Sequence, residues 1–208
     1  MKIDKSYFDE EYFTKGTKSN YGPYQIAEDL NERCWAIAER FKPKRLLDLG
    51  CALGFFVAQF RMYGIDAYGI DVSHYAIEIG KKLNFYAGKY SEDKKDLSKN
   101  QDYSIGLDRY LFEASATDIP FPDKFFDLVV SWDVLEHIPE KDISKAMSEL
   151  NRVAVKQYHS IATEVFDYDK DKSHITIKPL EWWQQFLPDA ELHGSKGEFM
   201  EIKTKGGE

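Results

Sequence analysis

Two acidic residues and the glycines near them have the types and spacing of a nucleoside-binding site. Asp71 ends the short apolar stretch that begins at Ala67, and an acidic side chain at a strand end can accept hydrogen bonds from both hydroxyls of a ribose. Gly50 and Gly54 follow an earlier apolar stretch, and small residues there let a ligand lie against backbone N–H groups at a helix N-terminus. These positions predict a nucleoside site at the carboxyl edge of a parallel sheet.

The turn after the first apolar stretch does not suit a dinucleotide. The dinucleotide fingerprint is Gly-x-Gly-x-x-Gly, whereas this turn has Ala52 between Gly50 and Gly54. Asp48, two positions before Gly50, would repel a pyrophosphate but would attract an ammonium group. S-adenosylmethionine carries both an adenosine and an α-amino group, so it suits Asp48 and Asp71 together.

Four motifs together resemble those of the class I S-adenosylmethionine-dependent methyltransferases. They occur in the family's order between residues 45 and 138. They are Asp48-Leu-Gly-Cys-Ala-Leu-Gly54, Tyr68-Gly-Ile-Asp71-Val-Ser73, the segment 116–127 and the segment 128–138. One departure is Ala52, where many members have glycine, and we expect a slightly tighter pocket from it.

The resemblance implies roles for the first two motifs. Asp48 would hold the methionine amino group, directly or through water. Asp71 would bind the ribose hydroxyls, and Val72 would pack on the adenine. The methionyl and ribose part would be lined by three small positions, Gly50, Ala52 and Gly54. Taken singly, Asp48 and Asp71 are more typical of strand-end caps, so the prediction depends on the joint spacing.

The third and fourth motifs supply the other implied contacts. Asp118 would accept a hydrogen bond from the adenine amino group, and the backbone of Thr117 or Ile119 would meet the ring edge. Ser131 and Trp132, at the end of the fourth strand, would face the methionine chain and the acceptor. Alone, Asp118 is typical of a turn and Trp132 of a core.

Two histidines are candidate catalytic groups. His137 follows Glu136 just past the fourth strand, and His174 lies between the fifth strand and the last helix. Either one is a candidate general base for an acceptor hydroxyl, and a hydrogen-bonded structural role is the alternative. The chain has no HExxH, CxxC or comparable spacing, so the sequence predicts no metal site.

Alternating elements are expected to position these residues. Strands are predicted at 45–49, 67–70, 109–114, 127–131 and 158–165, and helices at 25–41, 55–63, 73–85, 140–152 and 179–187. Segments 190–193 and 199–203 predict a closing hairpin. The pattern predicts an α/β, Rossmann-like fold with a seven-stranded, mostly parallel sheet, helices on both faces and a C-terminal antiparallel hairpin strand.

The whole chain, 1–208, is expected to form one methyltransferase domain. Residues 1–24 carry six aromatic residues and would form an arm that lies over the body of the protein. Residues 25–43 hold the leading helix. Residues 87–108 are a polar insertion with nine charged residues, which indicates a solvated loop or a mobile lid near the site.

Composition narrows the classes of partner. The net charge of −8 disfavours nucleic acid and anionic membranes, since both need a basic face. The two cysteines cannot form a disulfide framework and suit a reducing compartment. No apolar run approaches the roughly 18 residues of a membrane span, and the polar start of the chain is not typical of a signal peptide. We expect a cytoplasmic monomer or homodimer that contacts no membrane.

The predicted function is S-adenosylmethionine-dependent methyl transfer to a hydroxyl, amine or carbon of a small-molecule acceptor. The fourth motif lacks the Asn/Asp-Pro-Pro-aromatic signature with which related enzymes grip the planar nitrogens of nucleobases or glutamine. A protein acceptor stays open. So do two other functions: a non-catalytic module that keeps the cofactor fold and, less favoured, a nucleotide-dependent dehydrogenase.

Overall fold

A computed structural model describes residues 4–19, 24–25, 28–87, 103–163, 170–187, 190–192 and 200–202. Its helices are α1 (Glu10–Thr14), α2 (Leu30–Phe41), α3 (Phe55–Met62), α4 (His74–Gly80), α5 (Glu140–Val153) and α6 (Leu180–Gln184). Its strands are β1 (Arg45–Leu49), β2 (Asp66–Asp71), β3 (Asn84–Ala87), β4 (Tyr103–Gly106), β5 (Leu111–Glu113), β6 (Phe126–Trp132), β7 (Ala154–Ser160), β8 (Ala190–Leu192) and β9 (Met200–Ile202).

The main sheet has the strand order β5-β2-β1-β6-β7-β9-β8. The five strands from β5 to β7 run parallel to their neighbours. Strand β9 pairs antiparallel with β7, and β8 pairs antiparallel with β9. The predicted Rossmann-like, mostly parallel sheet is confirmed, and the closing hairpin forms where the sequence indicated it.

The central strands are apolar on both faces because helices cover both. Leu46 and Leu128 pack with α2 and α3, whereas Leu47 and Val129 pack with α5 on the opposite face. All four side chains are fully buried. Such two-sided burial explains why the parallel strands read as continuous apolar runs rather than alternating ones. Among the described residues, no helix is both long and apolar enough to cross a bilayer.

Several predicted element limits are wrong. Helix α2 begins at Leu30, not at residue 25, and α4 ends at Gly80, not near residue 85. After α4 the chain forms β3, which pairs antiparallel with β4, so Ala87 and residues 103–106 of the predicted polar insertion belong to strands. Residues 88–102 of that insertion lie outside the described residues. Strand pairing, a non-local interaction, overrides the helical pattern here.

The fifth parallel strand also differs from the prediction. Strand β7 begins at Ala154, directly after α5, and pairs with β6 from Phe126↔Ala154 to Trp132↔Ser160. The predicted range, 158–165, overlaps β7 only at residues 158–160, and the next residue, Ile161, is buried just beyond the strand. Register with β6 therefore sets where the strand begins.

The order of the parallel strands reverses between β1 and β6. In open α/β sheets, ligands bind in the crevice outside the carboxyl ends of the strands at such a switch point. The backbone N–H groups of Gly50 and Cys51 both donate to the Ile70 carbonyl, at 2.8 and 3.0 Å. These bonds tie the turn after β1 to the end of β2 and fix the floor of that crevice.

Candidate functional site

A cavity of about 410 Å³ lies outside the carboxyl ends of β1, β2, β5 and β6. Its volume is within the range of small-ligand sites. Seven of the residues predicted from the sequence line it: Gly50, Ala52, Asp71, Val72, Thr117, Trp132 and His137. The structure therefore brings the first, second and fourth motifs to one place, together with part of the third.

The turn after β1 has a backbone that glycine favours. Gly50 has a φ of +71° and Ala52 a φ of +47°, both in the left-handed region. A Cβ atom on Gly50 would lie 2.4 Å from Cγ2 of Val134, which is far too close. Gly50 is thus required by its conformation and by its neighbour. The strained φ of Ala52 gives a reason why glycine suits that position.

Asp71 is held in one orientation by the backbone. Its Oδ2 accepts from the Ala52 N–H at 2.9 Å, and its Oδ1 accepts from the Ser73 N–H at 2.8 Å. Burial raises the pKa of Asp71, while these hydrogen bonds and one from the Val72 N–H act in the opposite direction. Each carboxylate oxygen has a second lone pair, so Asp71 can accept from ligand hydroxyls as well.

Asp48 is a buried carboxylate with unused hydrogen-bonding capacity. It is 2% exposed, and its Oδ2 has no hydrogen-bond partner among the described residues. Burial, and then the neighbouring Asp71, raise the pKa of Asp48 well above its usual range. Asp48 does not itself line the cavity, but the next residue, Leu49, does. A cation in the adjoining space would offset the cost of this buried oxygen.

The adenine side of the cavity differs from the prediction. Asp118 is exposed and does not line the cavity, because its backbone N–H closes a turn onto the Ser115 carbonyl. The Ile119 N–H donates to Glu149 and its carbonyl accepts from Arg152, so neither group meets a ligand. The cavity wall is formed instead by residues 114–117. No local pattern indicates that Ser115 lines the cavity, since its position depends on where β5 ends.

Two further predicted residues lie in the protein interior and do not line the cavity. Ser131 is fully buried, and its Oγ lies 2.7 Å from Nδ1 of His159. Nε2 of His159 lies 3.0 Å from the amide oxygen of Gln157, which only accepts, so Nε2 donates and Ser131 donates to Nδ1. At Gly54, an added Cβ would lie 2.7 Å from Leu107, so this glycine allows close packing and does not line the cavity.

Trp132, in contrast, is a cavity residue as predicted. Its ring stacks on Phe56 of α3 with the ring centroids 3.9 Å apart and an interplanar angle of 16°. The next residue, Asp133, also lines the cavity and has a φ of +52°. A non-glycine residue in this conformation is uncommon and is concentrated at functional sites. Asp133 was not among the site residues predicted from the sequence.

His137 and His174 lie side by side. Their ring centroids are 4.7 Å apart, and His137 lines the cavity whereas His174 does not. Nδ1 of His137 lies 2.8 Å from Oγ of Ser173. Burial, and then the adjacent His174, lower the pKa of His137 to about 4, so its imidazole is neutral at pH 7.

The N-terminal arm covers the cavity. Phe8, Tyr12, Phe13 and Tyr24 all line it, and Tyr12 and Phe13 are buried. The Tyr12 hydroxyl donates to Oδ2 of Asp171 at 2.7 Å, which ties the arm to the segment that carries His174. Tyr21, another of the six aromatic residues within 1–24, lies outside the described residues.

The ion pair of Glu149 and Arg152, behind the cavity wall, is expected to contribute measurably to stability. Oε2 of Glu149 accepts from the Ile119 N–H, and Arg152 donates to Glu149 and to the carbonyls of Ile119 and Phe121. We expect Glu149→Gln to lower the free energy of unfolding at pH 7 by about 1–2 kcal/mol. Partial exposure of the pair and solvent screening keep the effect in that range.

The effect of Glu149→Gln should depend on pH. The hydrogen bonds from Arg152 lower the pKa of Glu149 from 4.5 to about 2 in the folded protein. The contribution is therefore present above pH 4.5 and is lost as the pH falls towards 2. Urea unfolding of the unchanged protein and the variant across that pH range measures this contribution, with Glu39→Gln, at an exposed position of α2, as control. A difference that does not shrink at low pH would contradict this assignment.

Comparison with known proteins assigns the family. The model of the methyltransferase domain family matches residues 20–196 of this chain. The chain belongs to this methyltransferase family. Membership confirms the resemblance to the class I S-adenosylmethionine-dependent methyltransferases, whose cofactor is S-adenosylmethionine. It does not favour a nucleotide-dependent dehydrogenase.

Two curated proteins are similar to part of this methyltransferase. Ajmaline N-methyltransferase of Rauvolfia serpentina is 30% identical over 143 residues, which cover 67% of this chain and 42% of the relative. The probable chloroplastic tocopherol O-methyltransferase of Oryza sativa subsp. japonica is 32% identical over 139 residues, which cover 66% and 33%. The chain thus spans less than half the length of these two relatives.

A solved structure shares the fold of this methyltransferase. It is the crystal structure of a SAM dependent methyltransferase from Archaeoglobus fulgidus, with a TM-score of 0.58 and 19% sequence identity. The likeness covers 86% of this chain and 73% of that one.

Proposed function

We propose that this chain binds S-adenosylmethionine in the cavity and transfers its methyl group to a nucleophilic atom of a small-molecule acceptor. The observation that carries the proposal is the pair of acidic residues at the switch point. Asp71 is held by the backbone and can accept further hydrogen bonds. Asp48 has a buried oxygen without a hydrogen-bond partner among the described residues. An adenosine that also carries an ammonium group satisfies both.

The proposed pose follows from these two residues. The ribose hydroxyls donate to Asp71, the adenine lies between Val72 and residues 115–117, and the α-amino group faces Oδ2 of Asp48. Trp132, which lines the cavity, then borders the methionine chain. Methyl transfer is an in-line displacement at an activated carbon, so the protein chiefly aligns the two reactants at about 3 Å and excludes water. The aromatic arm over the cavity suits the second task.

A small-molecule acceptor is supported by charge, cavity and relatives. The net charge of −8 disfavours nucleic acid. The cavity is closed on one side by the aromatic arm, which limits the size of an acceptor. The two curated relatives are named for an N-methylated and an O-methylated small molecule. We propose that the acceptor binds beside His137, the cavity residue next to His174.

Free, buried Cys34 and Cys51 suit a reducing compartment such as the cytoplasm.

Replacement of Asp71 by alanine tests the cofactor pose. We expect it to weaken S-adenosylhomocysteine binding by about tenfold or more, or about 1.4 kcal/mol, because two charge-assisted hydrogen bonds to the ribose are lost. Isothermal titration calorimetry measures the affinity, and thermal unfolding checks the fold. Asp118→Ala is the matched control, since Asp118 is exposed and outside the cavity. Equal weakening by both variants would remove Asp71 from the site.

Measurement of turnover distinguishes an enzyme from a non-catalytic module of the same fold. A binding module of the same fold would bind S-adenosylhomocysteine but would not convert S-adenosylmethionine into it with any acceptor. We expect conversion with at least one pool of metabolites that carry hydroxyl or amine groups. Binding without any turnover across such pools would favour the non-catalytic function.

A further inference from the structure

Three metal-ligating side chains converge at the wall of the cavity. Ligand atoms of Glu136, His137 and His174 all lie within 4.8 Å of one another, and His137 lines the cavity. Two imidazoles and one carboxylate form the donor set of many catalytic Zn²⁺ and Fe²⁺ sites, which keep a coordination position open for water or substrate. None of these three residues contacts S-adenosylmethionine in the proposed pose.

Glu136 supplies the second, independent observation. Its side chain is fully buried, and Oε1 accepts from the Ala162 N–H at 3.0 Å. Oε2 has no hydrogen-bond partner among the described residues. The carboxylates of Asp133 and Asp171 add further negative charge around it. Leaving a buried carboxylate oxygen uncompensated is costly, and a cation at this position removes the cost.

The contact between His137 and the Ser173 hydroxyl indicates one tautomer of the His137 ring. The Ser173 hydroxyl donates to Oδ1 of Asp171, so the Ser173 oxygen accepts from Nδ1–H of His137. Nε2 then carries the lone pair. A histidine that ligates a metal typically donates its other ring N–H to such a partner, which fixes the ring and its tautomer.

His174 reaches the cluster because its segment is tied to the turn of Glu136. The backbone carbonyl of Glu136 accepts from the N–H groups of Ile175 and Thr176, at 3.1 and 2.9 Å. This non-local contact explains why the spacing of histidines along the chain does not reveal the site. Ligands of a tetrahedral Zn²⁺ with bonds of about 2.1 Å lie about 3.4 Å apart. Binding of an ion would therefore draw the three ligand atoms closer together than the 4.8 Å within which they lie here.

We propose that Glu136, His137 and His174 bind one divalent transition-metal ion, such as Zn²⁺ or Mn²⁺, and that this ion holds the hydroxyl oxygen of the acceptor. The second half rests on the proposed function and makes this enzyme an O-methyltransferase. The ion polarises the hydroxyl, whose proton leaves to solvent. The oxygen lone pair forms the new C–O bond, and the C–S bond breaks with its electron pair remaining on sulfur, which becomes a neutral thioether.

The test is a metal titration of the full chain after treatment with a chelator. Calorimetry with Zn²⁺ and with Mn²⁺ should show one ion per chain at micromolar affinity or tighter for at least one of them. We expect His174→Ala and Glu136→Gln each to weaken binding by about 30-fold or more, because each removes a ligand. His74→Ala is the control, since His74 is exposed and pairs with Glu113 away from the cluster.

The outcomes separate this inference from the proposed function. The metal site is overturned if the unchanged protein does not bind metal stoichiometrically. It is also overturned if His174→Ala and Glu136→Gln both bind metal as tightly as the unchanged protein does. S-adenosylhomocysteine titrated into the same metal-free protein tests the cofactor site on its own. Metal binding without S-adenosylhomocysteine binding overturns the acceptor role of the ion. If one variant does not fold, the other variant and the titration of the unchanged protein decide.

Discussion

Replacement of Gly50 by valine should abolish binding of S-adenosylhomocysteine, with a loss of affinity of more than about 100-fold. A Cβ atom there would lie 2.4 Å from Cγ2 and 3.0 Å from Cγ1 of Val134, another residue of the cavity wall. The left-handed φ of +71° adds about 1–2 kcal/mol of strain for any side chain. The turn must therefore shift, and the ligand loses its close approach to the backbone.

Gly64 offers a matched control for this substitution. Its φ of +80° is similarly left-handed, but an added Cβ would meet nothing within 4 Å, and it lies outside the cavity. Gly64→Val carries the backbone strain without the clash, so it should lower stability and leave ligand affinity unchanged. Calorimetry and thermal unfolding of both variants separate the two effects. Normal binding by Gly50→Val would show that the first motif is not the cofactor turn.

Removal of the aromatic arm should lower turnover of S-adenosylmethionine by more than about 100-fold. The reason is that a chain beginning at Gln25 lacks Phe8, Tyr12 and Phe13, which line the cavity. In the proposed function these side chains exclude water from the reacting methyl group. The attraction between an aromatic face and a cation, about 0.5–2 kcal/mol, is also lost. Turnover is measured as formation of S-adenosylhomocysteine, beside the full chain. Full affinity and full turnover without the arm would contradict a functional role.

Point substitutions in the arm distinguish this role from simple packing. Phe13 and Tyr24 both line the cavity, and each can be changed to leucine, which is apolar but has no aromatic face. We expect at least one change to weaken binding of the cationic S-adenosylmethionine by about 3- to 30-fold and to spare the neutral S-adenosylhomocysteine. Trp35→Leu, on the exposed side of α2, is the control. Equal effects on both ligands would indicate packing alone.

Features encoded within a few residues were predictable from the sequence. The turn at Gly50 and the acidic end of β2 at Asp71 each depend on local spacing. The backbone conformations and hydrogen bonds there agree with that spacing. Parallel strands then bring these turns to one edge of the sheet, so the position of the candidate cofactor site could be predicted as well.

Features that depend on distant contacts were not predictable. Ser131 was expected at the ligand, but the register of β6 with β7 places it opposite His159, where it is buried. Asp118 was expected at the adenine, but it closes an exposed turn, and residues 114–117 form the wall instead. His174 joins Glu136 through backbone bonds between segments far apart in the chain. Local patterns carry no signal for such contacts.

A crystal structure of the full chain with S-adenosylhomocysteine tests the central claim most directly. The account predicts the ligand in the cavity at the carboxyl ends of β1, β2, β5 and β6, with both ribose hydroxyls within hydrogen-bonding distance of the Asp71 carboxylate. It also predicts the α-amino group facing Oδ2 of Asp48, directly or through one water. A ligand bound elsewhere, or bound in the cavity with Asp71 and Asp48 untouched, would contradict the assignment of this cavity as the methyltransferase site.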